Sequence, residues 1–371
     1  MNPQGRSVRE VVGVFLRLGT VAFGGPVAHM AMMREELVRR RGWVDDARFV
    51  DLVGATNLIP GPNSTELAIH LGHERAGWRG LVLGGAAFIL PAALMVTGLA
   101  WLYVEHGSAP AFTGILYGVV PVVLGIIGHA LVGLLPTVVK SPALAGLGVL
   151  ALATYLAGVN ELAVLFGGAA LAALAHAVRR AATAGPAVLA APLVATADTA
   201  TLTQLFATML KIGAVLYGSG YVLLTFLRGD FVERLGWITE QQLYDAISIG
   251  QVTPGPVFTT ATFVGYLVAG WGGAFLATVA IFLPSFIFVG LLTRLAGWLR
   301  SRDWTSVLLD GLNVTAFALM AGVSWHLGRQ ALVDPWTVVL ALATLAALHW
   351  TKVNSAWLIG AGALLGLLIH G

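Results

Sequence analysis

Two Pro-Gly-Pro motifs stand inside apolar stretches of the chain, at 60–62 and 254–256. Proline removes a backbone donor and clashes with the preceding helical turn, so each motif predicts a break in a helix. After the first break, Asn63 followed by Glu66 matches an N-cap with a reciprocal acidic partner, which predicts a new helix start. Inside a bilayer, a helix start with its unpaired N–H groups is tolerated only where it faces protein or water. The breaks therefore predict an anion site.

Small and hydroxyl residues near both breaks supply backbone and side-chain donors. With two glycine-rich turns elsewhere in the chain, they predict a polar centre suited to an oxyanion with several acceptor oxygens. The candidate substrate-binding residues of this centre are Gly24, Gly25, Gly61, Asn63, Ser64, Thr65, Gly218, Ser219, Gly255, Thr259 and Thr260.

Two basic residues, Arg17 and Lys211, lie inside the apolar segments 11–30 and 203–227. A cation at that depth is unfavourable by a few kcal/mol even on lenient insertion scales, so it normally has a partner or a function. We expect both residues to contact the anion. The alternatives are snorkelling to an interface and a structural ion pair with Asp51 or Asp245.

Glu66 lies beside the predicted anion site, where its negative charge would repel the ligand. It either caps the helix together with Asn63, or it is protonated while the anion is bound and couples proton movement to transport. His70, one turn later, could share that proton. Asp51 and Asp245 are further proton-coupling candidates, with hydrogen bonding to irregular backbone as their alternative use.

The chain has 371 residues, of which 57% are apolar and only 11% charged, and its mean hydropathy is +0.84. A soluble protein with so few charged residues could not cover its surface. The composition therefore predicts an all-α polytopic membrane protein. There is no cysteine, and the group of His70, His73 and Glu74 lacks a fourth ligand, so no metal site is expected. Neither an enzyme, a cofactor nor a nucleic-acid partner is predicted.

An internal repeat organises the sequence. Five motifs recur at one offset of 194 residues, including Arg17 as Lys211, Gly42-Trp43 as Gly236-Trp237, and Gly61 as Gly255. Chance does not keep one offset across five motifs. We therefore predict a first copy over 1–180, a linker over 181–200 and a second copy over 201–371.

Each copy contains six apolar segments. The one with the Pro-Gly-Pro motif is interpreted as a broken re-entrant hairpin, which leaves about five crossings per copy, since a span needs about 20 residues. Five is odd, so the copies are predicted to be inverted relative to each other. The segments are 11–30, 50–70, 80–104, 112–136, 142–158 and 160–178 in the first copy, and 203–227, 244–268, 272–298, 304–327, 335–349 and 354–370 in the second.

Positive charge in the loops supports this topology, because cytoplasmic loops hold the excess of Lys and Arg. With both chain ends outside, most of the basic loop residues fall on the inner face. The outer loops hold only Arg6, Arg9, Arg228, Arg234 and Arg329.

Several long motifs resemble the chromate ion transporter (CHR) family in its long two-domain form. They are FGGPVAHMAMMREE (23–36), GWVDDARFVDL (42–52), IPGPNSTELAIHLGHERAGW (59–78) and VTPGPVFTTATFVGY (252–266). The resemblance implies a multi-pass protein of the prokaryotic cytoplasmic membrane that expels chromate using the proton motive force, with sulfate as a similar anion. By resemblance, Arg17, the 24–26 turn and both Pro-Gly-Pro motifs fall in signature regions, and Glu66 stands where glutamine is expected.

Together these features predict a secondary oxyanion exporter with alternating access around a midplane site. Its partners would be the oxyanion, protons and the lipid bilayer, and a homodimer is left open. Two other classes fit the same pattern: an oxyanion channel, and a carrier or flippase for an anionic lipid head group.

Overall fold

The structure is a computed structural model that describes residues 3–22, 25–107, 110–181, 201–217, 222–300, 303–351 and 353–370. Within these ranges the chain is helical, without strands. The first copy contains α1 (Pro3–Val21), α2 (Gly25–Met33), a π-helical segment (Arg34–Arg40), α3 (Asp46–Thr56), α4 (Asn63–His106), α5 (Pro110–Val138), α6 (Pro142–Leu156) and α7 (Glu161–Ala181).

The second copy repeats this order of elements. It contains α8 (Thr201–Val215), α9 (Leu223–Leu227), a π-helical segment (Arg228–Arg234), α10 (Glu240–Val252), a 3-10 turn (Val257–Thr259), α11 (Thr260–Arg300), α12 (Asp303–Ala331), α13 (Pro335–Trp350) and α14 (Ser355–His370). The all-α, duplicated architecture is therefore confirmed. The predicted linker over 181–200 lies outside the described residues, apart from Ala181.

The first apolar segment of each copy is interrupted, although the pattern predicted continuous spans over 11–30 and 203–227. In the first copy α1 stops before α2 begins, and in the second copy α8 stops before α9. Pro26 disfavours a helical residue before it, and Gly25 takes a φ of 77°, a conformation that glycine adopts readily. The prediction of continuous spans was wrong because it followed the apolar composition of the segments and not the effect of Gly25 and Pro26 on the backbone.

Both Pro-Gly-Pro motifs break the chain as predicted. In the first copy the break separates α3 from α4, and in the second it separates α10 from the 3-10 turn that leads into α11. The central glycines have positive φ, 136° at Gly61 and 102° at Gly255. Glycine adopts such angles because it has no Cβ to clash with the backbone.

The helix that follows each break turns sharply after about three turns. Backbone angles leave the helical region at Ala76 and Gly77, and a Cβ built on either Gly72 or Gly80 would overlap the carbonyl oxygen of the other. Residues on both sides of the turn therefore pack backbone to backbone. The same turn occurs in α11 at Ala269–Gly270.

The two copies interlock instead of forming separate bundles. Helix α5 of the first copy packs on α13 and α14 of the second, and α12 packs reciprocally on α6 and α7. Helices α4 and α11 meet at the centre. Elements that are equivalent by the repeat thus exchange equivalent partners.

Four helical stretches in the described ranges are long and apolar enough to cross a membrane, and shorter apolar helices accompany them. The long stretches are Asn63–His106, Thr113–Val138, Val257–Thr293 and Ser306–Ala331. The shorter ones are Pro142–Leu156, Glu161–Ala175, Leu202–Val215, Pro335–Trp350 and Ser355–Ile369. This arrangement confirms a polytopic membrane protein.

Candidate functional site

Each Pro-Gly-Pro break binds the end of the first helix of the other copy. The Gly61 N–H donates to the Leu216 carbonyl, and the Gly255 N–H donates to the Ala22 carbonyl, with N···O distances of 2.8 Å in both. Ala22 follows α1 and Leu216 follows α8, so the two bonds are equivalent by the repeat. Both glycine amides are consequently engaged in this conformation.

The start of α4 differs from the predicted capping pair. Its N-cap is Pro62, whose carbonyl accepts hydrogen bonds from the amides of Thr65 (2.8 Å) and Glu66 (3.1 Å). Asn63 is the first helical residue, and its side chain donates to Asn57 Oδ1 (2.7 Å). The prediction that Asn63 caps the helix with Glu66 was wrong, because the extended residue before the helix is Pro62 and the helix therefore starts one residue earlier than predicted.

Glu66 lies against the first break and is fully buried. A Cβ built on Gly61 would overlap Glu66 Oε1 and would lie 2.8 Å from Ser285 Oγ, so both side chains converge on this glycine. Within the described residues, neither carboxylate oxygen makes a hydrogen bond of standard geometry, and the Ser285 hydroxyl is the polar group beside it. The carboxyl group is therefore not occupied by helix capping.

His29 connects the two breaks, although no sequence pattern predicted a functional role for it. Its buried ring places Nε2 3.0 Å from the Ala22 carbonyl oxygen and Nδ1 3.3 Å from Ser64 Oγ. A carbonyl only accepts, so Nε2 carries a proton, and Nδ1 of the neutral ring accepts from the Ser64 hydroxyl. Because Ala22 also accepts from Gly255, His29 links the second break to the start of α4. The position of His29 three residues after Pro26 is the sequence feature that could have indicated this role.

A small cavity lies between α2 and the second break. Its lining includes Gly25, His29, Gln251 and Gly255, and its volume of about 10 Å³ has room for about one water molecule. The buried Nε2 of Gln251 has no hydrogen-bond partner in the described part of the chain. The cavity is polar but too small for a polyatomic anion, so the centre is closed in this conformation.

The remaining predicted donors differ in how they are used. The Thr259 and Thr260 hydroxyls donate to the carbonyls of Pro256 (2.8 Å) and Val257 (2.9 Å) in their own turn. The buried Thr65 hydroxyl has no partner among the described residues. His70 is also buried, one turn after Glu66. Three predicted residues, Gly24, Gly218 and Ser219, lie outside the described residues.

The two basic residues inside apolar segments form equivalent ion pairs. Arg17 Nη1 lies 4.0 Å from Glu36 Oε1, and Lys211 Nζ lies 2.6 Å from Asp230 Oδ2. Glu36 and Asp230 are themselves 194 residues apart, so the repeat offset could have identified them. The Arg17 side chain is 67% exposed, whereas Lys211 is 29% exposed. Neither pair includes a residue of the two breaks.

The alternative prediction, a structural ion pair of Arg17 and Lys211 with Asp51 or Asp245, was wrong. Both aspartates lie in other surroundings. Asp51 is exposed on α3, while the buried Asp245 accepts hydrogen bonds from Tyr103 (2.7 Å) and from Gln241 (3.0 Å). Sequence spacing did not reveal these surroundings, because each aspartate lies on the helix before a break and not beside the first apolar segment.

A duplicated multi-pass helical fold with chain breaks beside buried polar groups is typical of membrane transport proteins. The chain belongs to the chromate transporter family, which matches residues 9–174 in the first copy and 203–367 in the second. It is a transport protein of the cell membrane and not an enzyme.

Curated relatives align over nearly the whole chain. The chromate transport protein of Cupriavidus metallidurans is 34% identical over 98% of this chain and 94% of its own length. The probable chromate transport protein of Synechococcus elongatus is 32% identical over 95% and 91%. The chromate transport protein of Pseudomonas aeruginosa is 31% identical over 99% and 94%. No solved structure matches the chain.

Proposed function

We propose that this chain is a secondary transporter that exports chromate, or a similar tetrahedral oxyanion such as sulfate, by using the proton motive force. The observation that carries the proposal is the reciprocal pair of hydrogen bonds from Gly61 to Leu216 and from Gly255 to Ala22. Through these bonds both family repeats contribute to one buried polar centre. The names of the curated relatives support chromate as the substrate.

The anion is proposed to bind between the two breaks. There the Thr65 hydroxyl and the Gln251 amide are unpartnered donors within the described residues. The amides of Gly61 and Gly255 now donate to carbonyls, so an anion would replace these carbonyls as the acceptor when the first helices move away. The other members of the proposed site are Gly24, Gly25, Asn63, Ser64, Gly218, Ser219, Thr259 and Thr260.

Transport is proposed to alternate access to this centre from the two sides. The closed cavity of about 10 Å³ suits an occluded state between two open ones. Inverted copies and re-entrant hairpins would make the two openings equivalent, and the reciprocal packing of α5 and α12 on the opposite copies is consistent with a two-fold relation. The anion would thus be exposed first to one side and then to the other.

Glu66 is proposed to carry the coupling proton, with His70 as a neighbour that could share it. Among the described residues, the buried Glu66 carboxyl group has neither a cation nor a hydrogen bond of standard geometry. Such a group is stable only in its neutral form, because an unpaired buried charge is strongly unfavourable. Loss of that proton would place a negative charge next to the anion. The repulsion would link release of the anion to the proton state.

The two cations are proposed to attract the anion as it approaches. In this conformation Glu36 and Asp230 offset their charges, so contact with the anion requires these pairs to open. Opening would accompany movement of α1 and α8, on which the cations lie. The positive charge would then be available only during the transport cycle.

Thermal stability of the purified protein in the presence of oxyanions tests the proposal. Chromate, sulfate, molybdate and phosphate are compared with chloride at equal ionic strength, and Arg17→Ala serves as the binding-impaired variant. A ligand at a hundred times its Kd stabilises the folded state by about 2.7 kcal/mol. We expect chromate and sulfate to raise the midpoint temperature of thermal unfolding of the natural chain. No oxyanion-specific shift would contradict the proposed site.

A further inference from the structure

A second cavity, of about 420 Å³, lies apart from the two breaks. It is formed where the end of α4, the start of α5, the first half of α10 and the end of α12 come together, and its lining includes Tyr103, Tyr117, Gln241, Tyr244 and Asp245. With these elements at one end of the molecule, the cavity belongs to the face that the loop charges predict to be outer. Its volume has room for many water molecules.

Asp245 is the acidic group of this cavity. Its carboxylate is buried and accepts one hydrogen bond from Tyr103 on α4 and one from Gln241 on α10. A carboxylate has about four acceptor positions, so these two donors leave capacity for a proton or a cation. None of the described residues that line the cavity is basic.

Two further carboxylates lie at the edge of the cavity, and the ion pair with Arg228 offsets the charge of one of them, Glu240. Tyr117 on α5 donates to Asp334, and Tyr244 donates to Glu240, which also pairs with Arg228. The hydrogen bond from Tyr117 and the backbone amides at the start of α13 lower the pKa of Asp334, which lies between α12 and α13. Asp334 therefore stays negative at neutral pH, and the field in the cavity favours cations.

We propose that this cavity is a cation-selective aqueous vestibule that ends at Asp245, and that protons reach the second break through it. Asp245 lies seven residues before the end of α10, which is about 10 Å along the helix, so the vestibule leads toward the break. The equivalent residue Asp51 is exposed, so the two copies differ in access. The role of the protons rests on the proposed function, whereas the cation selectivity does not.

Thiol labelling tests the vestibule directly, because the natural chain has no cysteine. Single variants Leu116→Cys, inside the cavity, and Val333→Cys, at its edge, are treated with cationic and anionic methanethiosulfonates that do not cross membranes. Rates are divided by those of free cysteine. We expect reaction from the outer face, with the cationic reagent favoured at least about fivefold, equal to ~1 kcal/mol. Leu342→Cys, on an exposed apolar face of α13, should not react.

Adding Asp245→Asn to each cysteine variant should bring the two normalised rates close to equality. Failure of both cysteines to react, preference for the anionic reagent, or an unchanged preference after Asp245→Asn would overturn the proposal. Labelling does not require transport. A chain that labels as expected but moves no oxyanion would contradict the proposed function and leave the vestibule intact.

Discussion

Gly61 and Glu66 occupy neighbouring space at the first break, which makes the glycine sensitive to substitution. A Cβ at residue 61 would overlap the Glu66 carboxylate, and the φ of 136° is unfavourable for any other residue. We expect Gly61→Val to lose transport. Gly13→Ala is a suitable control because its added Cβ meets no neighbour within 4 Å. Uptake at the natural rate by Gly61→Val would show that the glycine is dispensable.

Replacing Glu66 by glutamine separates proton coupling from packing. Glu66→Gln keeps nearly the same shape and removes the titratable group, so the protein should fold and still exchange oxyanion for oxyanion without a pH gradient. Accumulation driven by a pH gradient should fall at least about tenfold, equal to ~1.4 kcal/mol. The comparison is made in proteoliposomes, with Ser285→Ala as the neighbouring control. Full gradient-driven accumulation by Glu66→Gln would leave Glu66 a structural residue.

The cations Arg17 and Lys211 are expected to be needed for transport although each is paired. We predict that Arg17→Ala and Lys211→Ala reduce uptake at least about tenfold, equal to ~1.4 kcal/mol, while both proteins still insert. The control is Arg39→Ala, which removes an exposed arginine paired with Glu35. Full activity in both test variants would remove them from the proposed site.

The helical elements depend on close backbone contacts at the sharp turn of α4. Gly72 and Gly80 pack so closely that any Cβ at Gly72 would overlap the carbonyl of Gly80. We expect Gly72→Leu to destabilise the protein by about 1–3 kcal/mol, because overpacking forces the backbone apart. Thermal unfolding in detergent measures this effect. Gly146→Leu, where an added Cβ has open space, should unfold close to the natural temperature, and equal midpoints for the two variants would argue against the contact.

Helix breaks could be predicted from the sequence where the residue types alone decide the local backbone. Two prolines around one glycine cannot continue a helix, so both breaks were predicted, and the 194-residue offset predicted the duplication. The interruption between α1 and α2 was not predicted, because the surrounding residues are apolar enough for a span. The partners of Arg17 and Lys211 were missed because each lies beyond a chain break, where helical spacing no longer predicts neighbours. Only the repeat offset shared by Glu36 and Asp230 identifies them. His29 was missed because a lone histidine in an apolar segment is usually structural.

The whole molecule consists of two interlocked copies. Sequence could predict the number of copies, but their interlocking depends on tertiary contacts such as α5 on α14 and α12 on α7. The bonds that join each break to the opposite copy are also tertiary, since their partners are about 155 residues apart for Gly61 and more than 230 for Gly255. Alternating access would require these contacts to rearrange together.

Accumulation of chromate by the purified protein in proteoliposomes tests the proposed transport most directly. With an imposed pH gradient of the correct sign, labelled chromate should concentrate inside above its outside level, and an uncoupler should abolish the gain. A channel would only equalise the two concentrations, and a lipid carrier would not move free chromate. Equilibration without accumulation, or accumulation that survives the uncoupler, would contradict a proton-driven secondary transporter.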